Sequence, residues 1–309
     1  MNSSDIDTVV PRLLQHGSYV LPHLGVIAAR GPEAAHFLHN QLTNDFLLLD
    51  MQHARLAAFC NAKGRMQASM LGWKTSTEEV LLVMRADLLP QTLKRLSMFV
   101  LRAKVKLSDA SAEWTVQGQL APELETSVPW LLNHDNNAWS VQLYPSAGVS
   151  RSLVLSPANT QTQEAVLSLD DWLLSEVLSG VGDVQAATFE AFVPQMLNYE
   201  SVDGVNFKKG CYPGQEVVAR SQFRGILKRR TYVASCSQPL QAGQEIFNSN
   251  DATQPAGQVV QAVSHPQHGN WALVCLQTAS TESGDLHSAD SSGSVLNLHA
   301  LPYALREDI

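Results

Sequence analysis

One stretch of thirteen residues, 208–220, concentrates the residue types that could do chemistry; it reads Lys-Lys-Gly-Cys-Tyr-Pro-Gly-Gln-Glu-Val-Val-Ala-Arg. Pro213 suits the first position of a helix, because its missing N–H would have no partner there. The free N–H groups at a helix start, together with the charges of Lys208 and Lys209, favour a nearby anion. We therefore expect Cys211 to exist partly as the thiolate, the form that attacks electrophiles, is oxidised or binds metal.

The same stretch also has a purely structural interpretation, in which Cys211 is a loop residue and Gly210 and Gly214 serve a tight turn. The sequence alone leaves both interpretations open. Glu216 and Arg220 are four residues apart, in the order that favours an ion pair on a helix surface.

The other cysteines, Cys60, Cys236 and Cys275, lie far apart, and the chain has no C-x-x-C pair. This spacing argues against a zinc site or a cluster held by this chain alone. His36 and His39 are three apart on a predicted helix, and without a third ligand we interpret them as surface or core residues.

Hydrophobic periodicity predicts an α+β front part and an all-β C-terminal part. Helices are predicted at 32–42, 88–101 and 168–180, and strands at 18–30, 54–60, 66–73, 79–85, 103–108, 114–120, 138–144 and repeatedly after 231. The polar stretches 121–137 and 145–165 are predicted to be loops. The N-terminus lacks the features of a signal peptide and no apolar run reaches about 18 residues, so we expect a cytoplasmic protein.

Residues 209–216, Lys-Gly-Cys-Tyr-Pro-Gly-Gln-Glu, strongly resemble the signature of the YgfZ family, a folate-binding, iron–sulfur-related branch of the glycine-cleavage T-protein family. The resemblance runs from about residue 20 to the end of the chain. Shorter segments that fit the same branch are 59–66, 171–173, 193–195, 223–225 and 301–303.

The resemblance implies a three-domain cloverleaf around a central folate-binding hole. Two domains would be α+β and the last a β-barrel. Residues 1–50 and 150–228 would form the first domain, which carries the cysteine motif. Residues 51–149 would form the second domain, and 229–309 the barrel.

The resemblance also implies a site for tetrahydrofolate or another reduced folate. Trp172 matches a family tryptophan, and its ring could stack on a pterin. Leu24 and Leu178 stand where the family often has Trp and Glu, and we expect Glu176 to point elsewhere on its helix. Around Cys211, the motif residues expected to matter are Lys209, Gly210, Tyr212, Gly214, Gln215, Glu216 and Arg220.

The T-protein enzyme uses an Asp shortly after the glycine turn that matches Gly64, whereas this chain has Met66-Gln67-Ala68-Ser69 there. The group that handles a proton in aminomethyl transfer is therefore missing from this segment. This absence favours an accessory protein, with Cys211 as its working thiol, over an enzyme. Its implied role is iron–sulfur cluster assembly or repair, and its implied partners include iron–sulfur proteins and enzymes that thiolate tRNA.

Two alternatives remain open: a tetrahydrofolate-dependent aminomethyltransferase, and a tRNA-binding module. The second rests on segregated charge. The chain has a net charge of −8, yet residues 208–230 contain seven bases and one acid, whereas residues 107–207 contain thirteen acids and one base. A block of one sign indicates an anionic partner, such as nucleic acid, phosphate or a folate polyglutamate tail, or an internal ionic interface.

Overall fold

The computed structural model of the protein describes residues 16–122, 128–160, 168–223, 227–282, 284–288 and 293–306. The helices in this part of the chain are α1 (Ala34–His39), α2 (Leu89–Ser97), α3 (Leu169–Leu178) and α4 (Gln215–Phe223), with short 3-10 helices at Ala186–Thr188, Pro194–Leu197 and Thr278–Thr281. None of these helices has the length and apolar character needed to cross a bilayer.

The strands of the front part are β1 (Gly17–Val20), β2 (Leu24–Arg30), β3 (Arg55–Cys60), β4 (Met66–Ser76), β5 (Glu79–Arg85), β6 (Lys106–Asp109), β7 (Trp114–Pro122), β8 (Leu132–Asp135), β9 (Ala138–Gln142) and β10 (Val149–Pro157). The C-terminal strands are β11 (Arg229–Cys236), β12 (Glu245–Asn248), β13 (Asp251–His265), β14 (Gly269–Gln277), β15 (Leu286–Ser288) and β16 (Leu296–His299).

These strands form three antiparallel sheets. Their strand orders are β1-β7-β10-β9-β8, β3-β4-β5-β2-β6 and β15-β12-β13-β14-β11-β16. In the third sheet an isolated bridge joins His287 of β15 to Val295, beside β16, so the two edge strands meet and the sheet curls towards a barrel. The predicted α+β front and all-β C-terminal part are confirmed.

Helix α3 packs against β13 and β14 and so joins the front of the molecule to the C-terminal sheet. It begins where the Ser168 side chain accepts a hydrogen bond from the Asp170 N–H. It ends before Gly180, whose φ of +71° suits glycine. A Cβ at Gly180 would lie 2.7 Å from the Leu301 side chain, and the Tyr303 hydroxyl donates to the Gly180 carbonyl at 2.7 Å. Residues 301–303 therefore pack over the end of α3.

The prediction of loops at 121–137 and 145–165 is wrong at 121–122, where β7 ends, and at 132–135 and 149–157, which form β8 and β10. Strand β10 begins with Val149, continues with three polar residues, Ser150, Arg151 and Ser152, and then has three apolar ones, and Arg151 is itself buried. These polar side chains hid the period-two pattern. Residues 123–127 and 161–167 of the two stretches lie outside the described residues.

Strands of the two predicted front domains pair with each other. Strand β2, from the predicted first domain, pairs with β5 from the predicted second domain. Strand β1 pairs with β7 in the same way. Both front sheets therefore contain strands from each side of residue 50, and the domain limits stay a prediction.

The C-terminal sheet is tied to the front part by an ion pair between Arg230 of β11 and Glu200, whose side chains are 8% and 0% exposed. Glu200→Gln should lower the free energy of unfolding by about 3–5 kcal/mol, because it leaves the buried Arg230 charge without a partner. Chemical denaturation measures this loss.

The matched control is Glu216→Gln, which breaks an exposed ion pair with Arg220 and should cost less than about 1 kcal/mol. The double variant Glu200→Leu/Arg230→Met should recover much of the loss. Equal stabilities of Glu200→Gln and Glu216→Gln would contradict this account of the contact.

Candidate functional site

A cavity that is partly open to solvent lies where the three sheets meet, with about 720 Å³ of space between its walls, open solvent included. Leu24, Met70 and Val83 of the second sheet, Arg151 of the first and Gln261 of the third all line it. Helix α3 contributes Trp172 and Glu176, and the segment after it contributes residues 181–183; Trp130, Tyr144 and Tyr199 complete the aromatic part of the lining. The cavity therefore combines apolar and aromatic walls with a few polar groups, as small-molecule sites do.

Glu176 is the central polar group of this cavity. Its Oε1 accepts hydrogen bonds from Trp172 Nε1 at 2.8 Å and His23 Nε2 at 3.1 Å, and its Oε2 accepts one from Gln261 Nε2 at 3.1 Å. Burial opposes ionisation, but the hydrogen bond and charge of His23, with Arg151, bring the net pKa of Glu176 below its ordinary value. Glu176 and Leu178 point in different directions from α3, as expected, and Glu176 is the one that lines the cavity, on the turn that carries Trp172.

Trp172 lines the cavity but is only 1% exposed. A Cβ at Gly118 would lie 2.3 Å from the indole ring, so only glycine permits this packing. The Arg151 guanidinium carbon lies 4.9 Å from the centre of the same ring. Little of the ring is thus open to a ligand, and stacking of a pterin on Trp172 stays a prediction.

Arg151 is a buried cation beside this tryptophan. Its Nε donates to Ser175 Oγ at 2.9 Å and its Nη1 to the Tyr144 carbonyl at 3.3 Å. Burial lowers the pKa of Arg151 to about 10, and the charge of Glu176 acts in the opposite direction. Arg151 therefore stays charged near neutral pH and supplies hydrogen-bond donors to a cavity otherwise rich in acceptors.

Asp183 provides a second carboxyl group in the cavity. Burial, the largest cause, raises the pKa of Asp183 to about 7, while Arg85 acts in the opposite direction and Glu176 adds to the rise. Asp183 is hydrogen-bonded to Ser69, whose Oγ lies 2.6 Å from the Tyr199 hydroxyl oxygen. Residues 66–69 indeed contain no carboxylate, but the fold places one beside Ser69 from a distant segment.

The two positions that depart from the family pattern differ in their placement. Leu24 lines the cavity, as expected of a folate-binding position. Leu178 is 5% exposed and lies outside the set of cavity-lining residues, on another side of α3. A carboxylate at position 178 is therefore not needed to place acceptors in this cavity, because Glu176 and Asp183 already do so.

The cysteine motif lies on a separate, braced turn. The buried Lys209 ammonium donates to the carbonyl oxygens of His39 and Leu42 at the end of α1, at 2.8 Å in the case of Leu42. It also lies 4.5 Å from the ring centre of Tyr212. Burial lowers the pKa of Lys209 to about 8, and the Asp45 carboxylate acts in the opposite direction. Lys209 is thus a structural brace at a helix C-terminus.

Gly214 fixes the other side of the turn. Its φ is +82°, and a Cβ there would lie 2.4 Å from the Asn61 carbonyl and 2.7 Å from Gly64. The expectation that Pro213 opens the helix is wrong, because this left-handed glycine separates Pro213 from α4, which begins at Gln215. The ion pair predicted between Glu216 and Arg220 on α4 is present.

Cys211 is exposed at the tip of this turn, and the other three cysteines are buried. A Cβ at the adjacent Gly210 would lie 3.4 Å from His39 Nε2, and His39 Nδ1 lies 3.1 Å from Asp45 Oδ1. Burial and the charge of Lys209 lower the pKa of His39, against the effect of Asp45, so the ring is neutral at neutral pH. Among the described residues, no group of three or more His, Cys, Asp or Glu side chains could hold a metal ion.

The basic block 208–230 does not form one surface. Lys209 and Arg230 are buried in structural contacts, and Arg220 is paired with Glu216. Arg224 lies outside the described residues. Part of the charge segregation thus reflects internal contacts, one of the interpretations that the sequence left open.

The fold and the sequence were compared with those of known proteins. The crystal structure of the glycine cleavage system aminomethyltransferase T from Bartonella henselae superposes with a TM-score of 0.65 over 94% of this chain and 87% of that one, at 15% identity. No family model matches the chain. The tRNA-modifying protein YgfZ of Photorhabdus laumondii is 29% identical over 303 residues, covering 92% of this chain and 91% of that protein. Its counterpart in Sodalis glossinidius is 28% identical over 303 residues, with 91% of each covered.

The three sheets around a central cavity define a protein of the T-protein aminomethyltransferase fold. Within this fold, the chain is similar over nearly its full length to several YgfZ proteins. It also contains the Lys-Gly-Cys-Tyr-Pro-Gly-Gln-Glu turn. Over more than nine-tenths of its length, the chain is thus similar to the YgfZ proteins.

A limiting amount of iodoacetamide at neutral pH should label Cys211 before the other three cysteines, because only the Cys211 side chain is exposed. Burial raises the pKa of Cys60 and, to about 12, that of Cys275, which further suppresses their thiolates. Peptide mass spectrometry after short labelling measures the order. Equal labelling of Cys211 and Cys60 in the folded protein would contradict the placement of the motif.

Proposed function

We propose that this protein binds a reduced folate and supports tRNA modification as an accessory protein, with Cys211 as the thiol that meets its partner. The role in tRNA modification rests on the YgfZ relatives, which are named tRNA-modifying proteins. The single observation that carries folate binding is the cavity at the junction of the three sheets, with its aromatic walls and its carboxyl groups.

The chemistry of this cavity suits a pterin, a flat ring system with N–H donors and a carbonyl acceptor along its edges. Glu176, Asp183 and Gln261 provide oxygen acceptors, and Arg151 provides donors. The aromatic and aliphatic walls exclude water from the ring faces, which strengthens the polar contacts at the edges. Tetrahydrofolate is the simplest member of this ligand class.

The second part of the proposal is that the Cys211 thiol reacts with, or binds together with, a partner protein. A single thiolate cannot hold an iron–sulfur cluster, which normally has four cysteine ligands. A role in cluster assembly or repair therefore needs ligands from a partner, or an exchange step in which the thiol attacks a partner's disulfide. The exposed tip of a turn braced by Lys209 and Gly214 suits such a transient contact. Iron–sulfur proteins or tRNA-thiolating enzymes of the cytoplasm are the proposed partners.

One observation favours an enzymatic alternative, a tetrahydrofolate-dependent aminomethyltransferase. The segment 66–69 has no ionisable group of its own, but the fold brings the Asp183 carboxyl, whose pKa burial raises to about 7, beside Ser69. A carboxyl of this kind could accept or donate a proton near neutral pH. Turnover of an aminomethyl-loaded carrier protein in the presence of tetrahydrofolate distinguishes this alternative from a binding role.

Reduced folate should quench the tryptophan fluorescence of the protein. Trp172→Phe should diminish the quench and weaken binding by about 1–3 kcal/mol, because Glu176 loses a charge-assisted hydrogen bond and the cavity loses an indole. The matched control is Trp271→Phe, in the C-terminal sheet outside the cavity lining, and it should leave affinity unchanged. Unchanged affinity in folded Trp172→Phe would remove Trp172 from the site.

Cys211→Ser should fold normally, because the side chain is exposed, but it should fail to complement a null strain. Iron–sulfur enzyme activities and tRNA thiolation are the readouts, and Cys236→Ala, a buried cysteine of β11, is the control. Full complementation by Cys211→Ser would show that the thiol is not the working group.

A further inference from the structure

Two cavity-lining residues have buried side-chain oxygen atoms without a hydrogen-bond partner among the described residues: Asp183 Oδ1 and Gln261 Oε1. Gln261 is only 3% exposed. Its amide orientation is fixed, because the neighbouring Glu176 carboxylate can only accept and therefore requires the NH₂ group of Gln261. The Gln261 oxygen must then face away from Glu176 without a donor.

Buried acceptors without donors are costly and rare in folded proteins. Both unpartnered atoms in the cavity lining are acceptors, while Trp172 Nε1 and Gln261 Nε2 already donate to Glu176. The cavity is therefore short of N–H groups on the side of Asp183 and Gln261. A ligand that brings N–H groups would satisfy both oxygens.

The groups that act on Asp183 come from several elements. Arg85 at the end of β5 and His23 favour its ionised form, Glu176 on α3 opposes it, and Ser69 on β4 is hydrogen-bonded to it. Burial raises the pKa of Tyr199, and the charge of the ionised Asp183 carboxylate adds to the rise. Near neutral pH, Asp183 is therefore present in both its protonated and its ionised form.

We propose that Asp183 and Gln261 form the edge of the cavity that recognises a heterocycle through its N–H donors, and that Asp183 gives up its proton to solvent as this ligand binds. The inference rests on the proposed folate-binding function and names the protein groups that read the ligand. The proton balance is simple: the ligand keeps its N–H bonds and donates them as hydrogen bonds, and the carboxylic acid proton leaves to bulk water.

A definite pH dependence follows. The pKa of Asp183 is raised to about 7, so the group is mostly protonated at pH 6 and mostly ionised at pH 8. If the ligand binds the ionised form, its affinity should rise about tenfold between pH 6 and pH 8, with release of about one proton per ligand at pH 6 and almost none at pH 8.

The test is isothermal titration calorimetry of the full chain with 5-formyltetrahydrofolate. Each pH is measured in two buffers of different ionisation enthalpy, which gives the number of protons released. Asp183→Asn should bind with an affinity that is independent of pH and should release no proton. Asp135→Asn is the matched control, since it changes an exposed carboxylate in the β8–β9 hairpin and should behave like the wild type.

The outcomes separate this inference from the proposed function. Wild-type binding that is independent of pH, or an Asp183→Asn protein that keeps the wild-type pH profile, would overturn the role of Asp183 and leave folate binding intact. Absence of wild-type binding at every pH would overturn both. If Asp183→Asn does not fold, the number of protons that the wild-type protein releases at pH 6 and pH 8 still decides whether a group with a pKa near 7 loses a proton on binding.

Discussion

The central cavity depends on one mostly buried carboxylate, that of Glu176. Its three donors come from its own helix (Trp172), from the turn between β1 and β2 (His23) and from the C-terminal sheet (Gln261). A carboxylate that leaves water must be fully hydrogen-bonded, so the three regions have to converge on it. The space that remains beside this convergence is the cavity.

The turn that carries Cys211 is also held by buried polar contacts and close packing, at another place in the fold. The Lys209 ammonium fills the carbonyl end of α1, and the turn 61–64 meets Gly214 so closely that no side chain fits. Strand β4 begins just after that turn, and its residues 69–71 line the cavity. At about 3.3 Å per residue, roughly 10 Å of strand separates Met66, where β4 begins, from Ser69. One rigid strand therefore connects the exposed thiol region with the proposed folate site.

Local patterns in the sequence predicted the elements that depend on local physics. Helix α3, with Ser168 at its start and Gly180 after its end, and the Glu216–Arg220 ion pair are of this kind. Strand β10 was missed because a buried arginine and serines occupy positions where apolar residues are expected.

The site itself was predictable only in part. Trp172 and Leu24 came from the family resemblance, and both line the cavity. Arg151, Asp183 and Gln261 could not be found from spacing, since they come from three distant segments that only the tertiary fold brings together. Helix spacing predicted that Glu176 and Leu178 point in different directions, but spacing alone does not show which of the two faces a cavity.

The most direct measurement of the central claim is a crystal structure of the protein with a bound reduced folate. The account predicts the pterin ring in the cavity where the three sheets meet, with its N–H edge within hydrogen-bond distance of Asp183 and Gln261 and its carbonyl edge towards Arg151. A folate bound elsewhere on the surface, with the cavity empty, would contradict the account.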